Sequence, residues 1–285
     1  MALGMGMSLQ TGAILIEDAF IFTVNTATVG SGFTGETNDQ SFILPLGDNF
    51  SGTVEVDWGD GNTNSIADSA SDGDKTHDYG SSGIYTIKLT GDINGIQNTK
   101  DCRKITNISN WGKIVINDSA MLYGCIHMTI TASDIPTITT TAFTNMFRLC
   151  DDVTEIKNIS KWDVSSVTTF NNAFMSCAAL NPDIELWNMG SAIRISNMVR
   201  NTLFDRNLSG WDIADITNMA NFANSTTMST SNYDALLVAW NAGSPQSSVS
   251  AHFGSAKYTD GSAAATARAN LVAAHGWTIT DGGTA

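Results

Sequence analysis

The chain has 285 residues, 42% hydrophobic and only 15% charged, with a formal net charge of −14 at pH 7. A field of that sign repels nucleic acid and anionic membrane, which need clustered Lys and Arg, and no run reaches the roughly 18 apolar residues that span a bilayer. With charge well below the usual quarter, Ser, Thr, Asn and Gly must supply the surface, a composition of β-rich extracellular and virion proteins.

Residues 1–18 are Gly- and Met-rich at first (MALGMGMSL) and then partly apolar. No Lys or Arg precedes Lys75, so the positive n-region of a secretory signal is missing. Ile14, Leu15 and Ile16 require burial, and the segment reads either as a loose terminus or as an attachment arm that docks on a neighbouring subunit.

Residues 19–96 alternate in strand fashion. Strands are predicted at 20–27, 41–46, 53–58 and 83–90, separated by the turn signals Gly30-Ser31-Gly32, Gly47-Asp48-Asn49, Gly59-Asp60-Gly61-Asn62 and Asp72-Gly73-Asp74. Val54, Val56 and Trp58 share one face. Short strands with Gly turns and no helix predict a small β-sandwich. Asp57, Asp60 and Asn62 could be read as calcium ligands, but the Glu that an EF-hand loop requires is absent. The plainer reading is a tight hairpin in which Gly59 and Gly61 take positive φ. The segments Val54-Glu55-Val56-Asp57-Trp58-Gly59-Asp60-Gly61, His77-Asp78-Tyr79 and Gly83-Ile84-Tyr85-Thr86-Ile87 resemble the PKD-type domain. That resemblance implies a spacer or adhesion module without chemistry.

Residues 97–228 read as a tandem array of about five coils. Trp111, Trp162, Trp187 and Trp211 stand 51, 25 and 24 residues apart, so the first gap holds two units, one without its Trp. Cys102, Cys125, Cys150 and Cys177 repeat at 23, 25 and 27. Thiols recurring at the repeat period predict a stacked internal column in preference to disulfides, and without a C-x-x-C pair a zinc site is not expected. Within a unit, Ile159, Trp162 and Val164 have strand-like spacing. Phe170, Phe174 and Cys177 fall at i, i+4 and i+7, which predicts a helical turn or two. Such a unit buries its apolar face only by stacking on its neighbours.

The units NISKWDVSSVTTFNNAFMSC (158–177) and NLSGWDIADITNMANFANS (207–225) resemble a repeat of bacterial and phage surface proteins, of form L-S-x-W-D-V-S-x-V-T-N-M-x-x-M-F-x-x-C, grouped with leucine-rich-repeat-like proteins. The pattern degrades toward Trp111.

Residues 229–285 differ. Two helices are predicted, at 232–241 with Ser231 or Asn232 as N-cap and at 262–275 with Ser262 as N-cap, followed by a strand at 277–280. The run ending GWTITDGG resembles the C-terminal module that follows such repeats, and an open repeat end needs a cap.

The expected fold is therefore mainly β with short helices: a small PKD-like β-sandwich, a leucine-rich-repeat-like solenoid and an α/β C-terminal cap. The four His are scattered, and no H-E-x-x-H, G-x-S-x-G or P-loop Lys occurs. The expected role is a non-enzymatic phage virion protein (tail fibre, tail tip or decoration protein), with a bacterial cell-surface adhesin as the alternative and a glycan-acting enzyme a distant third. No cofactor is called for. Expected partners are other virion proteins through the N-terminal region and a host surface glycan or protein, with a homo-oligomer left open. The recognition row would be the exposed strand positions, stacked at about 4.8 Å per coil: Asn110, Ser160, Lys161, Asp163, Asn188, Ser209 and Asp212. The plainer reading is that these are solvated turn formers.

Overall fold

The computed structural model describes residues 16–28, 36–47, 49–97 and 100–285. Most of the expected attachment arm, up to residue 15, and the Gly30-Ser31-Gly32 turn lie outside the described residues. The chain is mainly β, with few and short helices and open sheets. One hydrophobic cluster runs without a break from Phe20 to Trp277.

The N-terminal strands are β1 (Phe20–Asn25), β2 (Ser41–Ile43), β3 (Thr53–Asp57), β4 (Thr63–Ala67), β5 (Thr76–Asp78) and β6 (Ile84–Gly91). In β3 the alternation seen in the sequence is real: Val54 and Val56 are buried between exposed Thr53 and Glu55. β3 turns into β4 through Gly59 and Gly61, both at positive φ. A Cβ on Gly59 would lie 2.4 Å from Thr86 O, so only glycine lets the hairpin lie against β6. β2 and β5 form a separate antiparallel ribbon.

The main sheet has the order β4-β3-β6-β1-β7-β9, where β7 is Ile105–Asn110 and β9 is Thr129–Ile130. β7 pairs antiparallel with β1 on one side and parallel with β9 on the other. The sheet therefore changes from antiparallel to parallel pairing within one strand, and the array continues the N-terminal sheet. A buried cation fastens this joint. Lys104, in a 3-10 turn (Cys102–Lys104), is 1% exposed. Its Nζ donates to Thr37 Oγ1 (2.6 Å), Asn38 O (2.7 Å) and Ser41 O (2.9 Å), with Asp101 Oδ2 at 3.4 Å. Asp101 in turn accepts from the Thr37 and Ile43 N–H groups. Burial lowers the Lys104 pKa, against the pull of Asp101.

Beyond β7 the units stack in parallel. β8 (Val115–Ile116) pairs with β10 (Thr137–Ile138), and single parallel bridges join Ala142, Thr169, Arg194 and Asn218 in turn. The helical turns expected over 170–177 are not there. Asn172 and Ser176 have φ of 58° and 61°, and the pairs Asn145/Leu149, Asn197/Asn201 and Asn221/Ser225 lie between 53° and 62°. A left-handed residue at every fourth position cannot continue a right-handed helix. It closes a series of tight turns instead, with Ala173, Met175 and Cys177 N–H donating to Phe170, Asn172 and Phe174 O. The alternate N–H groups point along the stack: those of Phe170, Asn172, Phe174 and Ser176 donate to Arg194, Ser196, Met198 and Arg200 O at 2.8–2.9 Å. The i, i+4, i+7 apolar spacing is common to a helix and to this tandem turn, which is why the sequence suggested the helix.

Inside the stack the tryptophans from Trp187 onward form a second ladder, whereas the buried indole N–H groups of Trp111 and Trp162 meet no acceptor among the described residues. The indole N–H of Trp187 donates to Ile159 O (2.7 Å), that of Trp211 to Ile184 O (3.0 Å), that of Trp240 to Leu208 O (3.1 Å) and that of Trp277 to Gln246 O (2.8 Å). All four cysteines are buried free thiols. Cys150 and Cys177 donate to Leu122 O and Phe147 O. In the next two coils the corresponding turns carry buried Thr202 and Thr226, whose hydroxyls donate to Val199 O and Ala223 O.

The C-terminal module follows the same plan, with helices in place of the Trp-bearing turns. These are α1 (Thr230–Ala242) and α2 (Ala263–Ala273), each followed by one of the parallel strands β11 (Ser250–His252) and β12 (Thr278–Thr280). α1 starts before the expected cap, because Asp205 accepts from the N–H and Oγ of Ser229 and from Asn232 Nδ2. Ser262 caps α2 as expected, accepting from Ala264 and Ala265 N–H. Buried Asp281 ties the module together, bonded twice by Arg268 and once by Tyr233 OH.

The left-handed positions give a direct test. Asn172→Val should cost about 1–2 kcal/mol more than Asn172→Gly, because only the Cβ-branched residue resists positive φ. Urea midpoints at unchanged m-value measure the difference.

Candidate functional site

The seven residues of the expected recognition row are not a row of strand positions. Asn110 alone lies in a strand, β7, half-buried, with its Nδ2 donating to Ala19 O at 2.7 Å. Ser160 and Lys161 lie in a 3-10 turn (Ile159–Lys161), Ser160 half-buried and Lys161 exposed. Ser209 is half-buried, and its N–H donates to Asn207 Oδ1. The remaining three do form one exposed column. Asp163, Asn188 and Asp212 each follow a core Trp, and each side-chain oxygen accepts the N–H two residues on, from Ser165, Gly190 and Ala214 at 3.0–3.1 Å. These are Asx turns, so their first task is to reverse the chain after the Trp. The Ser165 hydroxyl and N–H hold the Asp163 carboxyl below its usual pKa. With Lys161, the column leaves a polar edge on the outside of the stack.

Next to this edge lies a polar cleft of about 360 Å³ lined by Glu155, Asn158, Asn181, Asp183 and Arg206. Arg206 is anchored there by Asn181, whose side-chain and backbone oxygens accept its Nε and Nη2. The edge and the cleft together carry Glu155, Asp163, Asp183 and Asp212, all exposed.

The N-terminal sheet carries a different cluster. The Trp58 and His77 rings stack at 4.7 Å, Tyr79 meets His77 edge-on at 4.5 Å, and Tyr79 stacks on Tyr85 at 3.6 Å. The three motif segments read from the sequence thus meet in one aromatic row. Asp60 Oδ2 lies 2.7 Å from His77 Nε2, and both Asp60 oxygens accept from Asn62. Asp57 is engaged by Lys88 and the Gly59 N–H. These carboxylates are therefore occupied by hairpin contacts. Among the described residues no group of three or more His, Cys, Asp or Glu could hold a metal ion. The histidines are in local contacts too: His127 with Asp152 at 3.3 Å, and His252 accepting the Gly254 N–H.

With the geometry described, the comparisons add one finding. Residues 116–240 match the family described as Mycoplasma protein of unknown function, DUF285. The match begins at the end of β8 and closes at Trp240 of α1, which supports a repeat family for the array and includes the first helix of the terminal module. No curated protein and no solved structure matches the chain.

The hairpin cluster predicts a pH effect. Burial raises the Asp60 pKa, but the hydrogen bonds from His77 and Asn62 outweigh it and hold the group at about 2. A folded-state pKa below the unfolded one stabilises fully above the unfolded value and is lost as pH falls toward 2. Asp60→Asn should therefore melt lower than the wild type at pH 6, and the gap should close on titration from pH 4 to pH 2.

Proposed function

We propose that the protein is a non-enzymatic recognition scaffold of a phage virion, serving as a tail fibre, tail tip or decoration protein. In this reading a PKD-like sandwich attaches the chain to other virion proteins. A leucine-rich-like solenoid, closed by its C-terminal module, then presents the edge of Lys161, Asp163, Asn188 and Asp212 to a host surface glycan or protein. The observation that carries the scaffold reading is the succession of parallel contacts from each coil to the next: β7 with β9, β8 with β10, the bridges through Ala142, Thr169, Arg194 and Asn218, that of Met219 with Ala251, and β11 with β12. The stacked coils bury the tryptophans, phenylalanines and most aliphatic side chains, with Leu186 and Leu203 left exposed. The buried free thiols favour a virion. Exported chains with several cysteines are usually oxidised, whereas virion proteins assemble in a reducing cytoplasm and leave by lysis. Burial raises the Cys150 pKa well above its usual value, which keeps the thiol inert.

A bacterial cell-surface adhesin is the second reading, and the Mycoplasma description of the matched family favours it. Mass spectrometry of purified virions and of washed cell envelopes separates the two. Recovery with virions is expected, and recovery with envelopes alone would transfer the protein to the second reading. Denatured but unreduced protein should titrate with four thiol equivalents, matching its four free cysteines; finding none would mean disulfides and an oxidising route. If the double variant Lys161→Glu, Asp163→Lys leaves adsorption to host cells unchanged, this edge is not the recognition surface.

A further inference from the structure

The charge of the array is sorted around each coil. No Asp or Glu occurs between Asp134 and Asp151, Asp163 and Asp183, Glu185 and Asp205, or Asp215 and Asp234. Those intervals contain the bridges and the tandem turns, so one arc of the stack is free of carboxylates in a chain of net charge −14. The same arc holds Arg148, Arg194 and Arg200.

The backbone ladder fixes where these arginines stand. The carbonyls of Arg148, Met175 and Arg200 accept from the N–H groups of Gly124, Leu149 and Ser176 in successive coils. Arg148 and Arg200 therefore share one column with Met175 between them. Two steps of about 4.8 Å separate them by about 10 Å along the stack. Arg194 stands on the bridge of the same coil as Arg200 and is exposed. None of the three belongs to an ion pair among the described residues. Arg148 is held in place: its guanidinium lies 5.4 Å from the centre of the Tyr123 ring, and Nη1 reaches Asn145 Oδ1 at 3.5 Å. The first coil departs from this pattern, with Asp118 level with Ala142 on the arc, and in the second Asp151 and Asp152, the latter beside His127, follow Arg148 by three and four residues.

We propose that this arc binds a linear acidic polysaccharide whose carboxylates recur on every second sugar. This rests on the recognition reading above and adds the arc to the Asp163 edge as a second binding surface. Two arginines of fixed spacing suit sparse carboxylates, each of which an arginine fork can meet with paired hydrogen bonds. About 10 Å is also close to the length of a disaccharide. Asn171 Oδ1 accepts the Ser196 N–H and the Ser196 hydroxyl donates to Asn218 Oδ1, which leaves the Asn171 side-chain NH2 to donate to a sugar hydroxyl. Nucleic acid fits less well, because its dense phosphates would meet the acidic remainder of the chain.

Isothermal titration of the full chain at low salt tests this with four probes. They are hyaluronan oligosaccharides (a carboxylate on alternate sugars), polygalacturonate (one on every sugar), dextran (none) and single-stranded DNA. Hyaluronan oligosaccharides should bind, and dextran should not. Arg148→Gln, Arg200→Gln should weaken binding about a hundredfold, roughly tenfold for each lost charge-assisted contact. Lys157→Gln, at an exposed position in the interval between Asp151 and Asp163 and so outside the arc, should change it less than about twofold. Unchanged melting of the double variant confirms that the coils remain stacked. Failure of hyaluronan to bind, tighter binding of polygalacturonate, equal binding of dextran, tighter binding of DNA, or full binding by the double variant would each overturn the proposal. Such a failure leaves the virion assignment to its own test, since recovery of the protein in particles does not depend on this ligand.

Discussion

The rest of the structure depends on a backbone constraint: a left-handed residue at every fourth position of the tandem turns. It divides the N–H groups of each turn segment into two sets. One set closes the turn on itself, and the other reaches the carbonyls of the next coil. A buried N–H without a partner costs about as much as a lost hydrogen bond, so a coil of this kind is satisfied only when a neighbour is present. The apolar side chains obey the same rule. Phe143, Phe147, Phe170 and Phe174 pack between coils, with Phe147 stacked on Phe174 at 5.5 Å and Phe143 tilted against Phe170 at 6.0 Å. Cooperation between neighbours is thus built into the turn chemistry before any packing is counted.

A stack of this type must solve its two ends, and it does so differently at each. At the N-terminal end β7 serves two sheets at once, and buried Lys104 draws the carbonyls of residues 37, 38 and 41 around one ammonium group. A buried cation stabilises little on balance, but losing its partners would be costly, so this knot fixes the joint in one arrangement. At the C-terminal end the helices α1 and α2 replace short turns while the Trp ladder continues through Trp240 and Trp277. The module is therefore two further coils with thickened walls, held by the Arg268–Asp281–Tyr233 contacts.

Much of this was legible in the residues. The Trp and Cys periods reported a stack with the right step, and Val54, Val56 and Trp58 reported the face of β3. What misled was a spacing with two physical realisations. Phe170, Phe174 and Cys177 suit a helix as well as tandem turns, and the deciding signal was the polar pair Asn172 and Ser176, four apart, at positions where left-handed backbone is tolerated. Strands of two residues, such as β8, β9 and β10, carry too little pattern to be seen. The column of thiols continues as Thr202 and Thr226, whose hydroxyls look like surface residues until their partners Val199 O and Ala223 O are known. The recognition row failed as a row of strands because residues that follow a buried Trp have a turn to make. The arginines of the acid-free arc were missed because their alignment emerges only when the coils are placed in register.

β7 has one further effect, on how the molecule yields to force. Its antiparallel contact with β1 spans four paired positions along the strand, and a pull along that strand loads those rungs together. The bonds between later coils are at least as many, but they are distributed around the coil and not side by side along one strand. A tug on the C-terminal end can open such contacts one coil after another, each release lengthening the chain before the next coil bears load. The same polypeptide thus resists a pull as a block where the sheet is shared and yields in steps where it is stacked.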